Sequence, residues 1–161
     1  ILLCAHNEEG ALGVVLNEPL DGIMLTSMLD QLEIPSDDLD EDSIIFNGGP
    51  VAENRGFVVH SNEVSSGEDM EVPGGYRLSS SLEALRLIAS GKGPRYFLIA
   101  LGYSGWDAGQ LESEIVEDSW HLVEADQDLV FHIDREQVWN AALSKVGIAD
   151  TGRMSNFVGN A

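Results

Sequence analysis

The sequence predicts a mixed α/β domain, and three observations lead there. Short apolar runs of strand character alternate with segments whose apolar residues fall at helical spacing. The run Arg95-Tyr-Phe-Leu-Ile-Ala-Leu101 is nearly all apolar, as expected of a central strand covered on both faces. No repeat or linker interrupts the 161 residues, a length that fits one domain, residues 1–161, with a single core.

The elements follow in order. Ile1-Leu-Leu-Cys-Ala5 and Leu12-Gly-Val-Val-Leu16 read as two buried strands, joined by a hairpin turn at His6-Asn-Glu-Glu-Gly10. Leu25, Met28, Leu29 and Leu32 mark a short amphipathic helix over 24–33, closed by Pro35. An acidic, solvated loop covers Asp37 to Asp42 with Leu39 its one apolar residue. Strands over Ser43–Phe46 and Gly56–His60 flank the turn Asn47-Gly-Gly-Pro-Val51. Residues 61–76 are polar and Gly-rich, with a turn at Pro73-Gly-Gly75. Ser80 and Glu83 form a capping box for a helix carrying Leu82, Leu85, Leu87 and Ile88, which stops at Gly91-Lys-Gly-Pro94. After the central strand, Gly102-Tyr-Ser-Gly-Trp106 reads as a turn and Ala108–Glu117 as a helix. Trp120–Val123 and Leu129–Ile133 read as two further strands. Asp134 and Gln137 cap a last helix that buries Val138, Trp139, Ala142, Leu143 and Val146, and the tail from Asp150 to Ala161 carries too little periodicity to assign.

Charge excludes more than composition does. Eight Lys and Arg stand against 28 Asp and Glu, a net charge of −20. No cation precedes Arg55, and none lies between Arg95 and Arg135. Nucleic-acid affinity comes mainly from cations that displace counterions from phosphate, so direct binding to DNA is not expected. Anionic membranes are disfavoured for the same reason, and no run approaches the ~18 apolar residues of a membrane span. So much acid serves solubility or a salty setting, or else meets a cationic partner. A single cysteine, Cys4, excludes an internal disulfide and suits a reducing cytosol, so the expected location is cytoplasmic.

The stretch from Gly102 to Gln110 concentrates three glycines, Tyr103, Trp106 and Asp107 ahead of a helix. Such a turn presents backbone N–H groups to an anion. Its spacing is nevertheless neither G-x-G-x-x-G nor a P-loop, and no lysine stands beside it. Ser104 misses the nucleophile-elbow pattern by one position. Asp107 and Gln110 suit the two halves of a capping box. Asn47-Gly-Gly-Pro50 is a second Gly-rich turn after a strand. If the two turns meet, Gly48, Gly49, Pro50 and Trp106 share one wall of a crevice. No pair among Cys4, His6, His60, His121 and His132 has a zinc-binding spacing. Neither a metal, a cofactor nor a catalytic residue is assigned.

Gly10-Ala-Leu-Gly-Val-Val-Leu-Asn-Glu-Pro19, Gly48-Gly-Pro-Val51, Arg55-Gly-Phe-Val-Val-His60, Ala100-Leu-Gly-Tyr-Ser-Gly-Trp-Asp-Ala-Gly-Gln-Leu-Glu-Ser-Glu114 and Trp120 together resemble the YqgE/AlgH family (UPF0301). The resemblance spans essentially the whole chain. It implies a compact domain with a mixed, strongly bent, partly barrel-like sheet and peripheral helices, in a bacterial cytoplasmic family without an established enzymatic activity. It also implies that a natural N-terminal segment precedes Ile1. Some members carry the name of a transcriptional regulator.

The functional expectation is therefore a non-catalytic domain that binds a small ligand or a protein. The candidate site residues are His6, Asn17, Gly48, Gly49, Pro50, His60, Trp106, Gln110 and Glu114, which offer an aromatic platform with polar orienters. The alternatives are a regulator acting through a protein partner, and a hydrolase or transferase using His6 or His60 as base.

Overall fold

The computed structural model describes residues 1–36, Leu39 and residues 44–148. The acidic loop, apart from Leu39, and the tail lie outside the described residues.

The chain opens with the expected hairpin, β1 (Leu2–Asn7) and β2 (Gly10–Val14), in which Asn7 faces Gly10 across a two-residue turn. The Asn7 side chain accepts the Glu9 N–H at 2.8 Å and so braces that turn. Strand β3 (Pro19–Met24) was not expected; it leads directly into α1 (Leu25–Gln31), whose Leu25 and Leu29 are buried one turn apart. Next come β4 (Ile44–Asn47) and the long β5 (Val51–Ser61). The polar segment folds into a small hairpin, β6 (Met70–Val72) and β7 (Tyr76–Ser79), around the expected Pro73-Gly-Gly turn. Helix α2 (Leu82–Ala89) is capped by Ser81, whose hydroxyl accepts the Ala84 N–H. The cap lies one residue later than Ser80, because the Ser80 hydroxyl is occupied by Arg55.

Strand β8 (Phe97–Asp107) is the axis of the sheet. The strand order is β1-β2-β8-β5-β7-β6; β4 also joins β8, in parallel, and β3 pairs with β4. One edge of β8 thus serves β4 along residues 99–101 and β2 along residues 104–107, while β5 runs antiparallel on the other edge. β1 comes back against β6, leaving a nearly closed, barrel-like and mostly antiparallel sheet. Leu98 and Ala100 point into the barrel with Val14, Phe57, Val59 and Tyr76, whereas Ile99 joins Leu29, Ile45, Val58 and Leu85 beneath α1 and α2. The central strand is covered on both faces, as its composition predicts.

Four expectations are corrected. Gly102–Trp106 is not a turn: β8 continues through it to Asp107, with Gly102, Ser104 and Trp106 buried on one face. The glycine at 102 answers close backbone approach rather than reversal. Gly102 sits at φ +76°, and a Cβ there would lie 2.3 Å from the Gly49 carbonyl oxygen. Residues 120–127 form no strand, and Asp128–His132 is a π-type helical turn. It packs instead by its aromatics, Phe131 against Tyr76 and Tyr96. Asp134 makes no side-chain cap; its carbonyl closes a 3-10 turn, Arg135–Gln137, onto Gln137. In the last helix, α4 (Val138–Lys145), Val138 and Leu143 are buried, but Trp139 and Val146 are exposed.

Candidate functional site

Helix α3 (Gln110–Val116) starts directly after β8, with Gly109 at its N-cap in the left-handed region. Half of the expected capping box forms: the Gln110 Oε1 accepts the Asp107 N–H at 3.0 Å. This short connection folds α3 back on the end of β8 and brings Glu114 to Trp106. The Glu114 carboxylate accepts the indole N–H of Trp106 at 3.0 Å, that of Trp120 at 2.7 Å and the Gln110 amide at 2.9 Å. The two indoles meet edge to face, with centroids 5.8 Å apart. The bonds from Trp120, Gln110 and Trp106 stabilise the charged form and hold the Glu114 carboxyl below the usual carboxylate range.

Beside this corner lies an open depression of about 490 Å³ on the β1–β2–β8 surface. Ala5, Leu12, Val51 and Tyr103 form its apolar part, with Asn7, Glu9, Asp107 and Gln110 at its polar edge. Among the described residues no Lys or Arg lines it, so its potential favours cationic or neutral groups. His6, next to it on β1, is bound through Nε2 to Glu112 of α3 at 2.6 Å. The Glu112 carboxyl lies below its ordinary value, through the helix backbone first and this histidine second.

Of the nine candidate residues, Trp106, Gln110 and Glu114 therefore form one constellation, and His6 joins it through α3. Gly48 and Gly49 do meet the other Gly-rich stretch, but backbone to backbone. A Cβ on Gly48 would lie 2.2 Å from the Gly102 carbonyl oxygen, and one on Gly49 would lie 2.3 Å from the Tyr103 carbonyl carbon. The Gly48 N–H donates to Leu101 and its carbonyl accepts from Val15, so these glycines join β2, β4 and β8. Pro50 is exposed beyond them, and Asn17 is half-buried in the link from β2 to β3.

His60 is elsewhere. It pairs with Phe97 at the start of β8, and Trp106 stands nine positions further along that strand, roughly 30 Å at strand rise. It is 2% exposed, its Nδ1 donates to the Ser61 carbonyl at 2.8 Å, and its Nε2 stands 3.9 Å from Asp69. Asp69 is itself buried. Burial pushes its carboxyl up, but hydrogen bonds from the Ser66 hydroxyl and N–H and from Ser65 and Ser79 outweigh it and hold the pKa at about 2. Among the described residues no group of three or more His, Cys, Asp or Glu converges as a metal site.

Sequence reasoning missed Trp120, Tyr103, Leu12 and Val51. Trp120 hides in a run that alternates like a strand; the other three are visible only once β2, β5 and β8 are seen side by side.

An AlgH-like family (DUF179) matches residues 1–150. The chain belongs to that family. A UPF0301 protein of Thioalkalivibrio sulfidiphilus is 40% identical over 159 residues, covering 99% of this chain and 84% of that one. A UPF0301 protein of a Shewanella species is 38% identical over 165 residues, covering 100% and 87%. Among solved structures, the AlgH protein of Pseudomonas aeruginosa superposes with a TM-score of 0.77 at 38% identity, over 99% of this chain and 84% of that one. A Corynebacterium diphtheriae protein shares the fold at 16% identity, with a TM-score of 0.68 over 88% and 73% of the two chains. The AlgH-like domain described here thus joins a family whose function is uncharacterised. Among its described residues no helix is long and apolar enough to cross a membrane.

Proposed function

We propose that this AlgH-like protein is a non-catalytic binding domain, and that its site is the depression on β1, β2 and β8 beside the Trp106–Gln110–Glu114 corner. The observation that carries the reading is the juxtaposition of an apolar floor, Leu12, Val51 and Tyr103, with an acidic and amide edge, whose Gln110 amide is fixed by its bond to Glu114. A few oriented polar groups around an apolar floor are the usual makeup of a recognition site. The acidic edge and the net charge favour a ligand or protein segment with a cationic group beside an apolar one. Regulation, on this reading, runs through a protein partner rather than through direct contact with DNA. One fact supports binding over catalysis: among the described residues neither His6 nor His60 bonds a hydroxyl or thiol that it could activate as a base.

The test is a thermal-shift screen of small amines and cationic, aromatic-containing peptides against the wild type, Tyr103→Ala and Gln110→Ala. The reading expects compounds that stabilise the wild type and lose their shift in both variants. Hits that stabilise all three proteins equally would sink it.

A further inference from the structure

A second cleft, of about 320 Å³, lies on the opposite layer of the domain, between α1 and α2 over the sheet. It is more enclosed than the depression, and its volume falls at the lower end of the ~300–1,000 Å³ typical of small-molecule sites. Its walls are Met28 from α1 and Leu32 just after it, Leu82 and Leu85 from α2, and Leu101 from β8. Leu82 and Leu32 are 46% and 39% exposed, so the mouth presents large apolar side chains to water.

On β5 the cleft is lined by a glycine, Gly56, beside which the space is open. Gly56 pairs with Leu101, and a Cβ built on it would meet nothing nearer than the Leu101 Cδ2 at 4.0 Å. Neither a positive φ nor a close backbone approach accounts for this glycine, in contrast to Gly48, Gly49 and Gly102.

The rim supplies a charge of the rarer sign. Among the described residues Arg55 is the one ionisable group lining the cleft, in a chain of net charge −20. Its Nη2 donates to the Ser80 hydroxyl at 2.8 Å, and its guanidinium lies 5.2 Å from the centre of the Phe57 ring. Both contacts hold the group at the mouth while leaving further N–H donors for an anion. Among the described residues no carboxylate forms a salt bridge with it.

We propose that this cleft binds a small amphipathic carboxylate, a medium-chain aliphatic or aryl-alkyl acid, with its apolar body against Met28, Leu85 and Leu101 and its carboxylate on Arg55. A guanidinium favours a carboxylate by charge-assisted, bidentate hydrogen bonds, which neither an alcohol nor an amine can reproduce. Filling the space left by Gly56 removes the site without straining the backbone.

The test is an amide-NMR titration of the full chain with sodium octanoate, 1-octanol and octylamine, read at Gly56, Leu82 and Leu101. Octanoate is expected to shift these signals and to bind more tightly than octanol. Arg55→Gln is expected to weaken octanoate about tenfold while leaving octanol unchanged, and Gly56→Leu to abolish both. Because Arg55 is exposed, its variant tests the headgroup assignment even if Gly56→Leu fails to fold. The proposal is overturned if octanoate leaves these signals unmoved, if octylamine shifts them at lower concentration than octanoate, if Arg55→Gln binds octanoate unchanged, or if folded Gly56→Leu still binds.

Discussion

Trp106 on β8 donates its indole N–H to Glu114 on α3, eight residues later, across 3.0 Å. The same carboxylate takes the Trp120 indole at 2.7 Å, so one side chain ties a strand, a helix and the irregular segment after it into a single corner.

Glu114→Ala leaves two indole N–H groups and the Gln110 amide without their acceptor. The expected cost is about 2 kcal/mol, the scale of hydrogen bonds to a charged group, read from urea unfolding followed by circular dichroism. Tryptophan emission should shift in the native state. Because the folded carboxyl sits below its unfolded value, its contribution is full above that value and fades as pH falls through the folded pKa. In the wild type the emission change therefore begins below about pH 4.3. An unaltered spectrum in Glu114→Ala would show that the corner does not hold in solution.

Asp69 gives a second, separable acid transition. Its carboxyl is held at about 2 against an ordinary 3.8, so its contribution is present above about pH 4 and is lost as pH falls to about 2. Asp69→Asn is expected to cost about 2 kcal/mol at pH 7 and progressively less toward pH 2. A stability difference that stays constant across that range would contradict the assignment.

Gly102→Ala places a methyl 2.3 Å from the Gly49 carbonyl oxygen at φ +76°. A loss on the order of 3 kcal/mol or more is expected, since backbone must move on both strands. Gly67→Ala, at φ +92° with no neighbour within 4 Å, pays only the conformational cost of about 1–2 kcal/mol. Paired chemical denaturation of the two variants checks the contrast.

How far the fold was legible follows from these glycines. The β1–β2 hairpin, α1 and α2 rest on local signals, turn residues and helical spacing, and they are found close to where those signals place them. Gly102-Tyr-Ser-Gly-Trp106 carries equally strong local signals for a turn, yet it is strand, and Gly102 serves a close backbone contact with Gly48 and Gly49 more than fifty residues away. Trp120–Val123 alternates correctly for a strand but pairs with none, and Trp120 instead donates its indole N–H to Glu114. Of the candidate site, Trp106, Gln110 and Glu114 were legible because a short strand-to-helix connection brings them together. His60 was not: which end of a strand it occupies depends on pairing that no local pattern records.

Cys4 is buried in the barrel core, and burial pushes its thiol up to about 12. The thiolate is the reactive form, so native protein at pH 8 should resist a disulfide reagent such as DTNB, and full labelling should require unfolding. Rapid stoichiometric labelling under native conditions would show that the hairpin opens locally.

The central claim is that the depression beside Trp106 is where this AlgH-like domain binds. Its most direct measurement is amide-NMR mapping of a chemically diverse fragment set on the wild-type chain. The strongest cationic or neutral hits are expected to move the signals of Leu12, Val51, Tyr103 and Gly105 together, and to perturb the Trp106 indole N–H. Cationic and neutral hits that leave those signals still and cluster elsewhere on the domain would contradict it.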